Sequence, residues 1–587
     1  MFSKYAQTSI IPLILLVQGC ASPLSTNVHN KTVPATDNYS SAGTESFEAD
    51  GIGTELFFPL EKKTKVEVSL QHRTRELERL SPANNKSDWN SNTGLNLHLQ
   101  NSTISSLSME DAIALAIENN LDVQIALLQP QIAKEATISA EAAFDFVLGA
   151  GASKKKSRIP QQQIIGPGGA PINSGESSTD LFLANAQLSK KLNSGGSLII
   201  STDITKTESK SAGFNYSPDP AWQTIGRVEL NQPLLRNFGK KITLAQIHIS
   251  KLNEDQTGED VRASLNQTVS LTEQGYLELS LQWKKLQISQ WLLEQGEQVV
   301  NILELRISYD TSEADYAQAV ATVQQRKAEV IKQQAAVQLA SDSLKQLINS
   351  DALPLDSEVI IQPTGELAAK TITISLREAL VTAVKNRPDL KKLALQIKTN
   401  EIQIKVADNA RLPQLDMQAQ MSFYGLGDNT GDGYSEVFGS DYVNYLVGLN
   451  FQIPLGNRSA EADFQSTRLK KMSSVATYKR GVQQATIEVK KSLRNMVTNA
   501  ALMQANRSFR IAQAENLRAL IVEEETMGGL TPTFLNLKLQ TQSGLATART
   551  AELRSTIDYN KSITALYEAM GTSLEQRQIS LRYNQNK

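Results

Sequence analysis

Cysteine is almost absent: the 587-residue chain has one. An intramolecular disulfide and a thiolate-ligated metal cluster are both excluded. Histidine is nearly as scarce, with four residues (His29, His72, His98, His248) at no metal-ligand spacing. No Ser/His/Asp order, phosphate loop or metal spacing marks an enzyme, so no catalytic residue, metal or cofactor is expected. An excess of charge is missing too: Lys plus Arg is 59, Asp plus Glu is 61, and the formal net charge is −2. A protein that binds nucleic acid by neutralising phosphates carries a basic excess, so nucleic acid is not an expected partner. Aromatic residues are only 6%, and Ala, Gln, Ser and Leu are plentiful, a composition that leans towards long helices. Beyond the N-terminus no stretch offers 18 consecutive apolar residues. A mature chain that crosses a membrane must then do so as a barrel.

What is present begins at the N-terminus. Lys4 precedes the apolar run Ile10-Ile11-Pro12-Leu13-Ile14-Leu15-Leu16-Val17, too short to span a bilayer as a helix and suited to a signal peptide. It ends at Val17-Gln18-Gly19-Cys20, which resembles a bacterial lipoprotein signal. That resemblance implies removal of residues 1–19 and lipidation of Cys20. Ala21, not aspartate, follows, which by the same resemblance points to the outer membrane. Residues 20–105 are rich in Ser, Asn and Thr, with a charged patch from Glu61 to Arg79. They read as a low-complexity tether with a short helix near 68–80.

The rest is one unit written twice. Residues 107–123, LSMEDAIALAIENNLDV, match residues 374–390, ISLREALVTAVKNRPDL, at an offset of 267. Ser108/Ser375, Ala112/Ala379, Ala116/Ala383, Asn119/Asn386 and Asp122/Asp389 coincide, each set starting at a plausible helix N-cap. A second set of landmarks has an offset of 221: Pro233/Pro454, and Ser312-Glu313-Ala314-Asp315 against Thr533-Phe534-Leu535-Asn536. The difference of 46 residues is an insertion in the first half, between its first helix and Pro233. The expected organisation is a first repeat over 106–349 (strands about 144–234, helical hairpin about 240–349), a linker over 350–372, and a second repeat over 373–575 (strands about 414–454, hairpin about 459–571). A tail, 576–587, follows.

The two kinds of segment differ in composition. Residues 144–235 hold ten Gly and six Pro, whereas 240–349 hold three Gly and no Pro; the first suits strands and turns, the second helix. In the second half Leu415, Met417, Ala419, Met421 and Phe423 alternate with Asp416, Gln418, Gln420, Ser422 and Tyr424. After a Gly/Asp-rich loop, 425–441, Tyr445, Val447, Leu449, Phe451 and Ile453 alternate in the same way. Ten residues of strict period two can cross a bilayer as a tilted strand, apolar side to lipid and polar side to a lumen. The insertion reads as an extra hairpin over 181–206, turning at Asn193-Ser194-Gly195-Gly196. The chain then supplies four or six strands, too few to close a barrel, and an open edge is forbidden in lipid. Oligomerisation follows.

Leu265, Leu279, Leu286, Leu293, Val300 and Ile307 fall on one seven-residue grid, as do Val475, Val482, Val489, Met496 and Met503. Heptads predict coiled-coil packing, and 65–70 residues make helices of roughly 100 Å. Each turns back near Tyr309-Asp310-Thr311-Ser312 or Met527-Gly528-Gly529-Leu530-Thr531-Pro532. Taken alone, the heptads would suit a lipid-anchored trimeric coiled-coil structural or adhesive protein.

Helix, membrane strands, very long helix, tight turn and returning helix, all duplicated, resemble the TolC-type outer-membrane efflux protein family. The residues that carry the likeness are the two starts (Ser108–Asp122, Ser375–Asp389), the strand exits Gln232-Pro233-Leu234-Leu235 and Pro454-Leu455-Gly456, the tip Ser312-Glu313-Ala314-Asp315, and the ending Leu566-Tyr567-Glu568-Ala569-Met570-Gly571. The resemblance implies an α+β membrane protein: a homotrimer with one β-barrel in the outer membrane, continued by a periplasmic α-helical barrel. It implies an exit duct of a tripartite efflux or type I secretion system, working with a periplasmic adaptor and an inner-membrane transporter of RND or ABC type. By the same resemblance the hairpin tips hold the gate, with Asp310, Glu313, Asp315 and Asn536 as candidates, a ring of Asp315 side chains repelling around the axis. Ser312, Gly528, Gly529, Leu530 and Thr531 are candidates for adaptor contact.

Overall fold

The computed structural model describes residues 65–80, 103–160, 162, 165–169, 176–210, 217–309, 311–365, 372, 374–527 and 531–579. All lie in the second of two compact units, residues 53–587. Cys20, Asp310, Gly528, Gly529 and Leu530 lie outside the described residues.

Each repeat opens on a capped helix pair. In the first, α3 (Met109–Asn119) and α4 (Leu121–Glu141) follow the N-cap Ser108, whose Oγ accepts from the Asp111 amide at 3.1 Å. In the second, α8 (Leu376–Asn386) and α9 (Pro388–Ala410) follow Ser375, whose Oγ accepts from the Glu378 amide at 3.1 Å. The matched alanines Ala112/Ala379 and Ala116/Ala383 are all buried, because only small side chains let these short helices lie against the long ones.

Four long helices follow from the proline-free stretches. In the first repeat α6 (Ala245–Arg306) returns as α7 (Glu313–Ile348); in the second, α11 (Arg458–Met527) returns as α12 (Pro532–Met570). At 1.5 Å per residue α6 and α11 run about 90 and 105 Å. The heptad positions Leu265, Leu279, Leu286, Val489 and Met496 are buried in the packing between helices. A short α5 (Lys240–Thr243) precedes α6, and α13 (Ser573–Gln576) follows α12. None of these helices is long and apolar enough to cross a membrane.

The strands form one antiparallel sheet in the order β2 (Phe146–Pro160), β3 (Glu176–Lys191), β4 (Ser197–Lys210), β5 (Ala221–Pro233), β7 (Gln414–Gly427), β8 (Val443–Gln452). The inserted hairpin is therefore part of the main sheet, as β3 and β4, and the chain contributes six strands to it. It is also longer than 181–206, since the ladder continues past the alternating core. All six strands meet the helices at one end. There the β3–β4 turn is stapled to the β5 exit: the Gly239 amide donates to Ser194 O at 2.9 Å and Ser194 Oγ donates to Gln232 Oε1 at 2.6 Å.

A paired strand and a loop helix were not legible in the sequence, whereas the short helix expected near 68–80 is present over 74–80. Residues 104–107 (β1, Ile104–Leu107) pair in parallel with β6 (Ile360–Pro363), so the stretches read as tether and linker meet. Tyr276 Oη donates to Leu107 O at 3.1 Å, and Trp283 Nε1 donates to Ile361 O at 2.9 Å, fixing this pair on α6. Within the tether, α1 (Lys65–Ser69) and α2 (Thr74–Leu80) dock on α11. Leu77 is buried among Ile511, Ala514, Leu517 and Leu545, and Arg73 and Glu67 pair with Glu515 and Arg507, each at 2.9 Å. Finally, the loop 425–441 contains a helix, α10 (Thr430–Gly439).

At the junction of α8 and α9, Arg387 holds Asp389 at 2.8 Å and Glu488 at 2.6 Å, and donates to Ala569 O at 3.1 Å. Burial pushes the Asp389 carboxyl up, but the Arg387 hydrogen bonds and charge outweigh it and hold it below the usual aspartate range. A depressed carboxylate stabilises the fold above its unfolded pKa near 3.8, and the contribution is lost as pH falls through the lower folded value. Asp389 is half exposed, so the expected contribution is no more than about 1 kcal/mol. Asp389→Asn should be less stable than wild type at pH 7, and the two acid-unfolding curves should converge below about pH 3; a constant gap down to pH 2 would contradict this.

Candidate functional site

The register sorts the sheet into two faces. On one lie Asn185, Gln187, Ser201, Asp203, Arg227, Glu229, Gln418, Gln420 and Ser422; on the other lie Ala186, Leu188, Ile200, Val228, Leu230, Ala419, Met421, Val447 and Leu449. The polar face is bonded across strands: Arg227 pairs with Asp203 at 3.4 Å, and Gln418 Nε2 donates to Glu229 Oε1 at 3.3 Å. This is the division that a lipid-facing and a water-facing surface require. Among the described residues β2 and β8 each have one neighbouring strand, so both edges of the described sheet carry unpaired backbone groups.

At the other end of the long helices lie the two hairpin tips. Ser312 caps α7, accepting from the Asp315 amide at 3.1 Å while its hydroxyl donates to Asp315 Oδ2 at 2.6 Å. Thr531 caps α12, accepting from the Phe534 amide at 3.2 Å. The N-cap of the second hairpin is thus Thr531, not the Thr533 that the repeat offset aligns with Ser312. Asp315 and Asn536 nevertheless meet: Asn536 Nδ2 donates to Asp315 Oδ1 at 3.4 Å. Glu313 occupies the exposed first position of α7. Of the run Glu523-Glu524-Glu525, Glu524 pairs with Lys538 at 2.6 Å within the second hairpin. Val299, Leu303, Ala319, Leu535 and Leu539 make a common apolar cluster just above, so the two hairpins pack on each other near their tips.

Sequence reasoning missed Arg326. It sits on α7 fourteen residues above the cap and is 6% exposed. Nη1 donates to Leu292 O at 2.6 Å and Gln542 Oε1 at 3.3 Å; Nη2 donates to Leu539 O at 2.8 Å and Ser543 Oγ at 3.1 Å. One guanidinium therefore ties α7 to α6 and α12. Burial pushes its pKa down to about 10, so it stays protonated at neutral pH. The only signal in the sequence was Gly296 inside the last third of α6, where a Cβ would come within 3.0 Å of Arg326 Nη1. Among the described residues no group of His, Cys, Asp or Glu is placed to hold a metal ion.

Comparison with known proteins follows this geometry. Residues 379–572, in the second repeat, match the outer membrane efflux protein family. No curated protein matches the sequence. Among solved structures, the CmeC outer membrane channel of Campylobacter jejuni superposes with a TM-score of 0.58 at 16% identity, covering 79% of this chain and 86% of that one. The open-state MtrE outer membrane channel of Neisseria gonorrhoeae gives 0.55 at 16%, covering 79% and 89%. The outer membrane protein VceC of Vibrio cholerae gives 0.55 at 16%, covering 79% and 96%. These proteins are channels or membrane proteins, not enzymes. The resemblance read from the repeats thus stands: the second repeat carries the sequence pattern of the outer membrane efflux protein family, and the chain has the fold of the outer-membrane channels.

Proposed function

We propose that the chain is one protomer of a passive outer-membrane exit duct, assembled as a homotrimer and anchored by lipid at Cys20. The observation that carries this reading is the six-stranded sheet with one apolar and one polar face, joined at one end to two long helical hairpins. An open sheet is not viable in lipid because its edge groups find no partner there; three copies would supply eighteen strands, enough to enclose an aqueous channel. Exposed apolar residues on α4, among them Leu121, Leu128 and Ile132, support further contacts between copies. The rival, a solid coiled-coil adhesin, leaves a two-faced sheet without a purpose. Energy and substrate choice belong to an inner-membrane transporter of RND or ABC type, reached through a periplasmic adaptor that engages the tips around Ser312 and Gly528–Thr531. Purified protein in a planar bilayer should show discrete conductance steps; solid rods without conductance would return the adhesin. Accumulation of a cationic dye on gene deletion, reversed on restoration, would assign small-molecule efflux; unchanged accumulation with missing exported proteins would assign type I secretion.

The tip contacts suggest how the duct rests closed. Asp315 acts less as a repelling ring than as a tie, since its carboxylate accepts from the Ser312 hydroxyl and from Asn536. Asp315→Ala removes both bonds and is expected to raise resting conductance several-fold, whereas Asp315→Asn keeps an acceptor for Asn536 and should raise it little. Equal conductance in all three proteins would remove Asp315 from the gate.

A further inference from the structure

Helices α1 and α2 take the chain out of its way. β1 is fixed on α6 by Tyr276 and Trp283, whereas Leu77 of α2 packs in a cluster that includes Trp291 of α6. Trp291 lies fifteen residues beyond Tyr276, about 22 Å farther from the sheet. Between Leu80 and Ile104 the chain comes back over that distance, within 23 residues. With the N-terminus anchored in the membrane, as read above, a tether leading only to β1 would stop at β1. The chain from Cys20 to Lys65 spans up to about 150 Å when extended, which allows the excursion.

The excursion ends on both repeats at once. Leu77, 2% exposed, is packed by Ile511, Ala514 and Leu517 of α11 and by Leu545 of α12, with Trp291 of α6 against the same cluster. Val66 and Leu70 cover it in part. Trp291, Ala514 and Leu545 all lie about 20 Å from the turn end of their helices. Arg326 takes the Leu292 and Leu539 carbonyls at the same level. The seam between the first and second hairpins is therefore held there twice, by a guanidinium from α7 and by α2 from the tether.

The charges fit in one register. Glu67 pairs with Arg507 and Arg73 with Glu515, each at 2.9 Å. Glu76 acts through its charge on Arg518, and Glu78 on Arg510. Arg510 is also held by Glu552 at 2.7 Å and Arg518 by Glu515 at 2.8 Å, so α11 presents these charges with or without the tether. The hold is of a releasable kind. The Arg73 side chain is 38% exposed and that of Arg507 54%, and pairs so open to water weaken with salt. A cavity of about 160 Å³ also stays between α1–α2 and α11, lined by Glu67, Gln71, Thr74, Arg507 and Arg510 among others, so the two surfaces are not closed to the density of a core.

We infer that α1–α2 is a detachable strap that latches the two hairpins in their closed packing, and that its release frees the tips to part. The inference rests on the duct reading above. The test combines resting conductance of full-length protein in a planar bilayer with maleimide labelling of an introduced thiol. Glu67→Arg and Arg507→Glu should each raise resting conductance about two- to fivefold, and the double variant Glu67→Arg/Arg507→Glu should return to the wild-type level. Cys20 is the only cysteine of the chain and in the duct reading carries lipid on its sulfur, so a thiol introduced by Leu77→Cys is the one that reacts. It should label at least about threefold faster in about 1 M salt than in about 0.05 M, as the ion pairs are screened. Ser69→Cys, at an exposed position of α1, should label equally in both. No recovery in the double variant, or salt-independent labelling of Leu77→Cys, would overturn the latch. Equal discrete steps in wild type, both single variants and the double variant would defeat the latch and leave the duct; no conductance in any of them would defeat the duct reading and the latch with it.

Discussion

Exchanging Arg326 for lysine should destabilise the packed hairpins by about 3 kcal/mol, and exchanging it for methionine by clearly less. The guanidinium is buried, and among the described residues no carboxylate pairs with it; its partners are two main-chain carbonyls, a glutamine and a serine. Nε finds no acceptor at all. A charge in such a place is tolerable only because a flat fork reaches two helices at once. Lysine keeps the charge but has no fork, so it can satisfy α6 or α12 and not both. Methionine loses the bonds and with them the cost of desolvating a cation, and the carbonyls of Leu292 and Leu539 lie within helices that use them anyway. Denaturant unfolding of the three proteins measures the order. If methionine proved worse than lysine, the positive charge itself would be what holds the helices, and the dipolar partners would have been undervalued. Because the tie joins α7 to α12, both variants should also raise resting conductance.

Gly195→Val is the second large effect. Gly195 has φ +97°, and a Cβ there would stand 2.2 Å from the main-chain oxygen of Asn237 and 3.0 Å from Thr243 Oγ1. A left-handed φ already costs a β-branched residue about 1–3 kcal/mol, and a clash with backbone cannot be relieved by a rotamer change. The turn, closed by a Leu192–Gly196 main-chain bond of 2.7 Å, is the point where the β3–β4 hairpin locks onto the β5 exit, through a Gly239–Ser194 main-chain bond of 2.9 Å. The expected result is little or no assembled, heat-resistant oligomer in the membrane fraction. Gly168→Val, with nothing within 4 Å of its added Cβ, is the matched control. Wild-type assembly of Gly195→Val would mean that the inserted hairpin is not locked to the rest of the sheet.

Much of this architecture could be read from the chain because its signals are long. Sixty-two and seventy consecutive helical residues give heptads many chances to declare themselves, and strict alternation through 415–423 and 443–453 leaves little choice of face. What escaped was short or non-local. β1 and β6 are four residues each and meet across some 250 residues of chain; neither has a pattern of its own. The α10 segment, TGDGYSEVFG, has three glycines and a poor helical propensity, and it is held as a helix by packing on a track of glycines in two strands. Leu77 looked like one apolar residue in a charged stretch; its pocket is made by Ile511, Ala514, Leu517 and Leu545, which only the fold brings to it. Arg326 lay among glutamines and a lysine on a helix that reads as solvated. At the tips, the offset of 221 aligns Ser312 with Thr533, but capping is decided by where each chain turns, and the second helix is capped two residues earlier, at Thr531.

The repeats contribute unequally to the sheet, four strands from the first and two from the second, yet equally to the long helices. Parity explains how one can change without the other. A strand reverses the side on which the chain emerges, so one added strand would deliver α6 and everything after it to the opposite end of the sheet. Two added strands restore the side. A hairpin is therefore the smallest insertion that widens the wall and leaves both helical hairpins where they were. In the duct proposed above, the circumference of the barrel could grow in steps of two strands per protomer while the helical conduit kept its cross-section, which would make the mouth and the conduit independent dimensions of the same chain.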